Sequence, residues 1–253
     1  MACLLLCSSC APEARIVESS VSYEAPEPQR IAIERVTSSP FDVTWERMLR
    51  DLPAASFRIL SHDRDSRFLV VELQHSSGPS RYVDCGRVSR SITLDGRTEE
   101  YEYGLAEPGR HREVEELEDG YQISDVTRTL QLVARATLYL RPDGEQRARV
   151  TTQIRYELEV EISGTVTPLP RQAGLPEGEV RPLAPRRHRV HFATFETGAL
   201  PSDGEAICRA TGALEQALLA VADPRGADLS AGTGHATWLS RSRKRASVRR
   251  EAG

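Results

Sequence analysis

The strongest constraint in this sequence is an alternation that runs through two long segments flanking Pro142-Asp143-Gly144. In residues 130–140 the even positions are all Leu or Ala, and the odd positions are mainly Gln, Arg, Thr and Tyr. In residues 148–166 the even positions are mainly Ala, Val, Ile, Leu and Tyr, and the odd ones mainly Arg, Thr, Gln and Glu. A period of two places one set of side chains on each face of a strand, and Asp-Gly is a preferred hairpin turn. Two long antiparallel strands joined near Gly144 are therefore expected, with one dry face and one wet face.

That dry face needs a cover, and two amphipathic segments are available. Ser38-Ser39-Pro40 reads as a helix start, with a hydroxyl cap and proline in the first turn. Phe41, Trp45, Met48, Leu49 and Leu52 follow on one helical stripe, and Pro53 is expected to end it. The second helix opens at Ser202 and Glu205, a capping-box pair. Ile207, Ala210, Leu214, Leu218 and Val221 form its stripe, and Asp223-Pro224 stops it. Shorter strand-like runs occupy residues 30–36, 57–60, 68–73, 81–85, 88–94, 98–103, 111–117, 121–126 and 190–195. Residues 167–187 hold five prolines and read as a loop. The expected fold is α+β: a long antiparallel sheet packed against an N-proximal helix and a C-terminal helix, in the manner of a helix-grip fold. Hydrophobic residues are 39% of the chain, enough to build such a core.

The cysteines stand at 3, 7, 10, 85 and 208. Met1-Ala-Cys-Leu-Leu-Leu-Cys-Ser-Ser-Cys10 is an uncharged apolar stretch leading into two small residues and a cysteine. It resembles the end of a bacterial lipoprotein signal, without the basic start and with Cys7 where leucine is usual. The resemblance implies removal of residues 1–9, lipidation of Cys10, and a membrane partner reached through that anchor. Ala11 follows the acceptor; the absence of Asp there favours the outer membrane over the inner. The same cysteines have the spacing of a radical S-adenosylmethionine cluster motif, but no strand precedes them and Ser9 stands where an aromatic is usual. With Cys10 acylated, Cys85 and Cys208 remain, and outside the cytoplasm such a pair reads as a disulfide. Two independent buried thiols are the alternative.

Residues 10–29, acidic and proline-containing, read as a flexible tether, residues 30–223 as one domain, and 224–253 as a disordered basic tail. Residues 241–251 carry six basic groups and one acid, which leaves the remainder of the −4 chain at about −9. Arg241, Arg243, Lys244, Arg245, Arg249 and Arg250 are the candidates for an anionic surface. The overall negative charge gives no bias toward nucleic acid, and the sequence has no run of 18 apolar residues.

No reactive constellation is legible. The six histidines lack metal-ligand spacing and read as scattered surface residues. No G-x-S-x-G segment occurs, and Gly232-Thr-Gly234 lacks a P-loop lysine. The acidic run 113–119 lacks calcium-loop spacing and reads as a solvated strand face. No cofactor, metal or enzymatic activity is expected.

Arg81-Tyr-Val-Asp-Cys-Gly86 and Cys208-Arg-Ala-Thr-Gly-Ala-Leu-Glu215 resemble segments of uncharacterised proteobacterial lipoproteins. The Trp45 helix followed by Phe57-Arg-Ile-Leu is similar to the domain of BamC-type lipoproteins of the outer-membrane assembly machinery, over residues 29–75. These resemblances imply a periplasm-facing envelope lipoprotein with a structural or protein-interaction role. The alternative is a module that binds an apolar or lipid ligand between sheet and helix.

Overall fold

The alternating segments form one antiparallel hairpin, and each arm is 23 residues long in the computed structural model. The structure describes residues 15, 17–75, 78–200 and 206–224. In chain order it begins with β1 (Val17–Glu24), β2 (Glu34–Thr37), α1 (Phe41–Ala54), β3 (Arg58–Asp63) and β4 (Phe68–His75). A single 3-10 turn at Pro79–Arg81 leads into β5 (Val83–Asp84), β6 (Arg87–Leu94), β7 (Arg97–Gly104) and β8 (Gly109–Leu117). The hairpin arms are β9 (Gly120–Pro142) and β10 (Ala148–Pro170). Then come β11 (Arg181–Ala193), β12 (Gly198–Leu200), β13 (Ala206–Ala210) and α2 (Ala213–Ala222).

At about 3.3 Å per residue the hairpin is roughly 75 Å long, longer than any one neighbour. Its partners therefore divide it. A seven-stranded sheet runs β11-β10-β9-β4-β3, with β2 also on β10 and β8 also on β9. Strand β4 pairs with β9 from Leu132 to Tyr139, and β8 with β9 from Gly120 to Arg128. Two smaller sheets are β1-β6-β7 and β12-β13-β5.

The even-numbered face of the hairpin is covered in two ways. Near the Gly144 turn, α1 and α2 pack on it. Trp45, Met48 and Leu52 meet Leu138, Leu140, Val150 and Ile154 in one buried core that also holds Leu214 and Leu218. Farther out, β6 and β7 lie over β8, and Arg128 of β9 donates to the Gly104 carbonyl of β7. Trp45, Phe57 and Leu214 thus occupy the space where an apolar ligand would lie between sheet and helix.

The α+β expectation is corrected: 60% of the described residues are strand and 14% helix, in several antiparallel sheets. Sheet dominates because three stretches read otherwise are strands. Within the expected tether, residues 17–24 are β1, paired along their whole length with β6. Within the expected proline loop, β10 continues to Pro170 and β11 begins at Arg181. Prolines are tolerated there because β11 is an edge and β10 loses its β11 partner beyond Val166. The expected last helix is mostly shorter still: residues 206–210 are β13, with Ala206, Cys208 and Ala210 buried at period two. Gly212, at φ +82°, turns the chain into α2. The Ser202–Glu205 pair lies outside the described residues, as do residues 1–9, Cys10 and the tail from 225. Pro53 sits inside the last turn of α1 rather than ending it.

Gly164 is obligatory. At Gly164 the register between β10 and β11 shifts, φ is +151°, and a Cβ would lie 2.0 Å from the Asp125 carbonyl oxygen.

Candidate functional site

Odd-numbered side chains of β9 and β10 point away from the helices, as their period requires. Together with the end of β11 they line an open groove of about 1040 Å³. Tyr139 and Phe195 are its exposed aromatics, and Phe195 is 66% exposed. Val70, Val133 and Thr137 floor the apolar part.

A charged row crosses the same outer face. Arg58, Glu72, Arg135 and Arg155 stand at neighbouring register positions on β3, β4, β9 and β10. Glu72 is 3% exposed. Arg135 Nε donates to its Oε2 at 2.8 Å, Arg58 Nη2 to its Oε1 at 2.5 Å, and Gln74 Nε2 to the same Oε1 at 3.0 Å. The Arg135 hydrogen bond, helped by those of Arg58 and Gln74 and opposed by burial, holds the Glu72 carboxyl below its ordinary range. Arg155, exposed at the end of this row, makes no side-chain hydrogen bond or ion pair among the described residues. The face thus combines apolar rings with a guanidinium available to a carboxylate.

The other end of the hairpin holds a polar cluster beneath the small sheet. His111 on β8 is 6% exposed, so it corrects the expectation of scattered surface histidines. Its ring stacks on Tyr103 at 4.5 Å, and the Arg128 guanidinium lies over the Tyr103 ring, 4.6 Å from its centroid. His111 Nε2 is 2.9 Å from Glu113 Oε1, and Arg90 Nη2 approaches the same oxygen at 3.5 Å. The His111 hydrogen bond leads the effects that hold Glu113 below the ordinary carboxylate range; the charges of Arg90, His111 and Arg186 act in the same direction. Glu113 therefore departs from the solvated acidic face expected for 113–119. Among the described residues no group of three or more His, Cys, Asp or Glu side chains has metal-holding geometry.

A third buried polar group braces α2 against the sheet. Glu215 Oε1 accepts the Tyr156 and Thr194 hydroxyls, each at 2.8 Å. Glu215 sits in the first turn of α2, where the helix dipole favours a carboxylate. Burial first, and then the Glu215 charge, push the Tyr156 hydroxyl well above the ordinary tyrosine range.

Cys85 and Cys208, from β5's end and β13, form a disulfide across 123 positions of sequence. Both are fully buried. The Tyr23 hydroxyl on β1 accepts the Ile207 N–H at 3.0 Å and lies 3.2 Å from the Cys85 carbonyl. Strand β1, expected to be tether, is thus part of the disulfide's setting. Of the residues singled out in the sequence, these two cysteines meet; Cys10, Arg241, Arg243, Lys244, Arg245, Arg249 and Arg250 lie outside the described residues.

Sequence reasoning missed Glu72, Arg155, His111 and Glu113. A single carboxylate inside Phe-Leu-Val-Val-Glu-Leu was a legible signal for Glu72, because a charge in an apolar strand needs partners. Pairing His111 with Glu113 needed only the strand period; the burial of both needed the small sheet. No family model, no curated protein and no solved structure matches this chain. Among the described residues no helix is long and apolar enough to cross a membrane.

Proposed function

We propose that this chain is a periplasm-facing lipoprotein of the outer membrane, anchored through Cys10, with a structural or protein-interaction role. The observation that carries the interaction role is the outer groove, where Tyr139 on β9 and Phe195 in the turn after β11 stand exposed beside Arg155. Exposed aromatics and arginine are the residue types that dominate protein contacts. The occupant that fits is an extended segment of another envelope protein, with an apolar side chain for the rings and a carboxylate for Arg155. The signal-like segment supports the anchor, and the Cys85–Cys208 pair suits an oxidising compartment.

Two measurements test the two parts separately. Labelled palmitate is expected in the wild type and absent from Cys10→Ala, which leaves the membrane fraction; equal labelling removes the anchor. Photo-crosslinking from position 195 in cells is expected to give one discrete adduct, lost in Arg155→Glu while the melting curve stays unchanged. A cross-link pattern indifferent to Arg155→Glu removes the groove as the docking surface.

A further inference from the structure

A second cavity, of about 450 Å³, opens on the same end of the hairpin as the buried His111–Glu113 pair. Its walls come from three elements that the sequence separates widely: β6, the β8–β9 pair, and the start of β11. We propose that this cleft binds a small molecule through one oxyanion group, a carboxylate or a phosphate.

The donors are already assembled. Arg90 and Arg186 bring guanidiniums from two different sheets, and Ser124 and Gln122 add a hydroxyl and an amide from β9. Register fixes this convergence: Ser124 lies directly opposite Glu113, and Gln122 opposite Glu115, on the β8–β9 pair. Ser124 is buried and lines the cleft, and its hydroxyl makes no hydrogen bond among the described residues; neither do the side chains of Gln122 and Arg186. A hydroxyl, an amide and a guanidinium without protein acceptors, facing one cavity, form an anion-accepting set.

The carboxylates in the wall make no hydrogen bond to Ser124, Gln122 or Arg186. Glu113 turns its Oε1 toward His111 and Arg90, and Glu115 is exposed at the rim, where solvent screens it. Leu183, Ala184 and Val114 supply the apolar remainder of the wall, so the ligand carries a short apolar body behind its charged group. Glu113 then has a second consequence. As the resident carboxylate it competes with the ligand for Arg90, and removing its charge tightens binding.

Calorimetric titration of the full chain with inorganic phosphate and with butyrate, at low ionic strength, tests this. Saturable binding of at least one probe is expected. Arg186→Gln, at an exposed position, is expected to weaken it about tenfold, the worth of one charge-assisted hydrogen bond. Glu113→Gln is expected to strengthen it several-fold, an effect that loss of structure does not produce. No saturable binding of either probe, or equal binding by wild type and Arg186→Gln, overturns the proposal. A phosphatidylglycerol vesicle arm separates sources: recruitment to vesicles without binding of the free anions identifies a membrane-surface effect and also overturns it.

Discussion

The two halves of the long hairpin share a backbone and a face but bury different chemistry. Near the Gly144 turn, even positions such as Leu138, Leu140, Val150 and Ile154 meet helices and form an apolar core. At the far end, the same parity delivers Ser124 and Arg128, which meet a small sheet carrying Arg90 and Tyr103. A helix presents one broad apolar stripe, and filling it stabilises without directional demands. The β1-β6-β7 sheet instead offers alternating polar strands, so its interface is held by rings, guanidiniums and a carboxylate. One half provides stability, and the other provides directional groups that a ligand is able to use.

The largest effect is expected where the two covers meet. Replacing Cys85 and Cys208 by alanine is expected to cost about 4–5 kcal/mol on the chain-entropy account, read by denaturant titration. A loss below about 1 kcal/mol would show that β13 and β5 are held by packing alone. Next comes Leu138→Ala in the helix-covered half, expected to cost about 3 kcal/mol because Leu138 is fully buried. The matching change at the other end, Glu113→Gln, is expected to cost about 1–2 kcal/mol, since its side chain is 28% exposed and solvent screens the pair. If Glu113→Gln costs more than Leu138→Ala, the ranking of the two halves is reversed.

Acid sharpens the same contrast. Glu113 and Glu72 both titrate below the ordinary glutamate value of 4.5 when folded. Their contribution is complete above that value and is lost as pH falls through the lower folded values. Thermal stability should therefore fall on acidification below about pH 4.5, and the fall should be shallower in Glu113→Gln and unchanged in slope in Leu138→Ala. The smallest effect belongs to Tyr23→Phe, which removes the hydroxyl that bridges Ile207 and Cys85. About 1 kcal/mol is expected, measured by thermal melting; no change would mean that β1 docks through its ladder to β6 alone.

Legibility in the sequence followed the same division. The helix-covered half was readable because Leu130–Leu140 alternates without interruption and its turn is marked by Asp-Gly. The α1 stripe was readable for the same reason, and Trp45, Met48 and Leu52 are buried as that stripe requires. The far half was not, because its buried even positions include Ser124 and Arg128, which look solvent-facing until the small sheet is placed over them. Residues 206–210 misled for a different reason: Ile207 and Ala210 fit a helical stripe, while the strand period of Ala206, Cys208 and Ala210 emerges only with the pairing to Asp84 and Val83. In the groove, Tyr139 was legible as a wet-face residue, but its convergence with Phe195 depends on β11 lying beside β10.

Strand β1 has a consequence for altitude. If Cys10 carries a lipid, the chain is held to the body by Arg15 already, its N–H on the Arg171 carbonyl and its guanidinium 3.3 Å from Asp95, and five Cα steps span at most about 18 Å. The β1-β6-β7 sheet then rides close above the headgroups instead of swinging on a long leash. An anchor of that length restricts orientation as well as distance, so a partner would meet the groove from a limited range of directions.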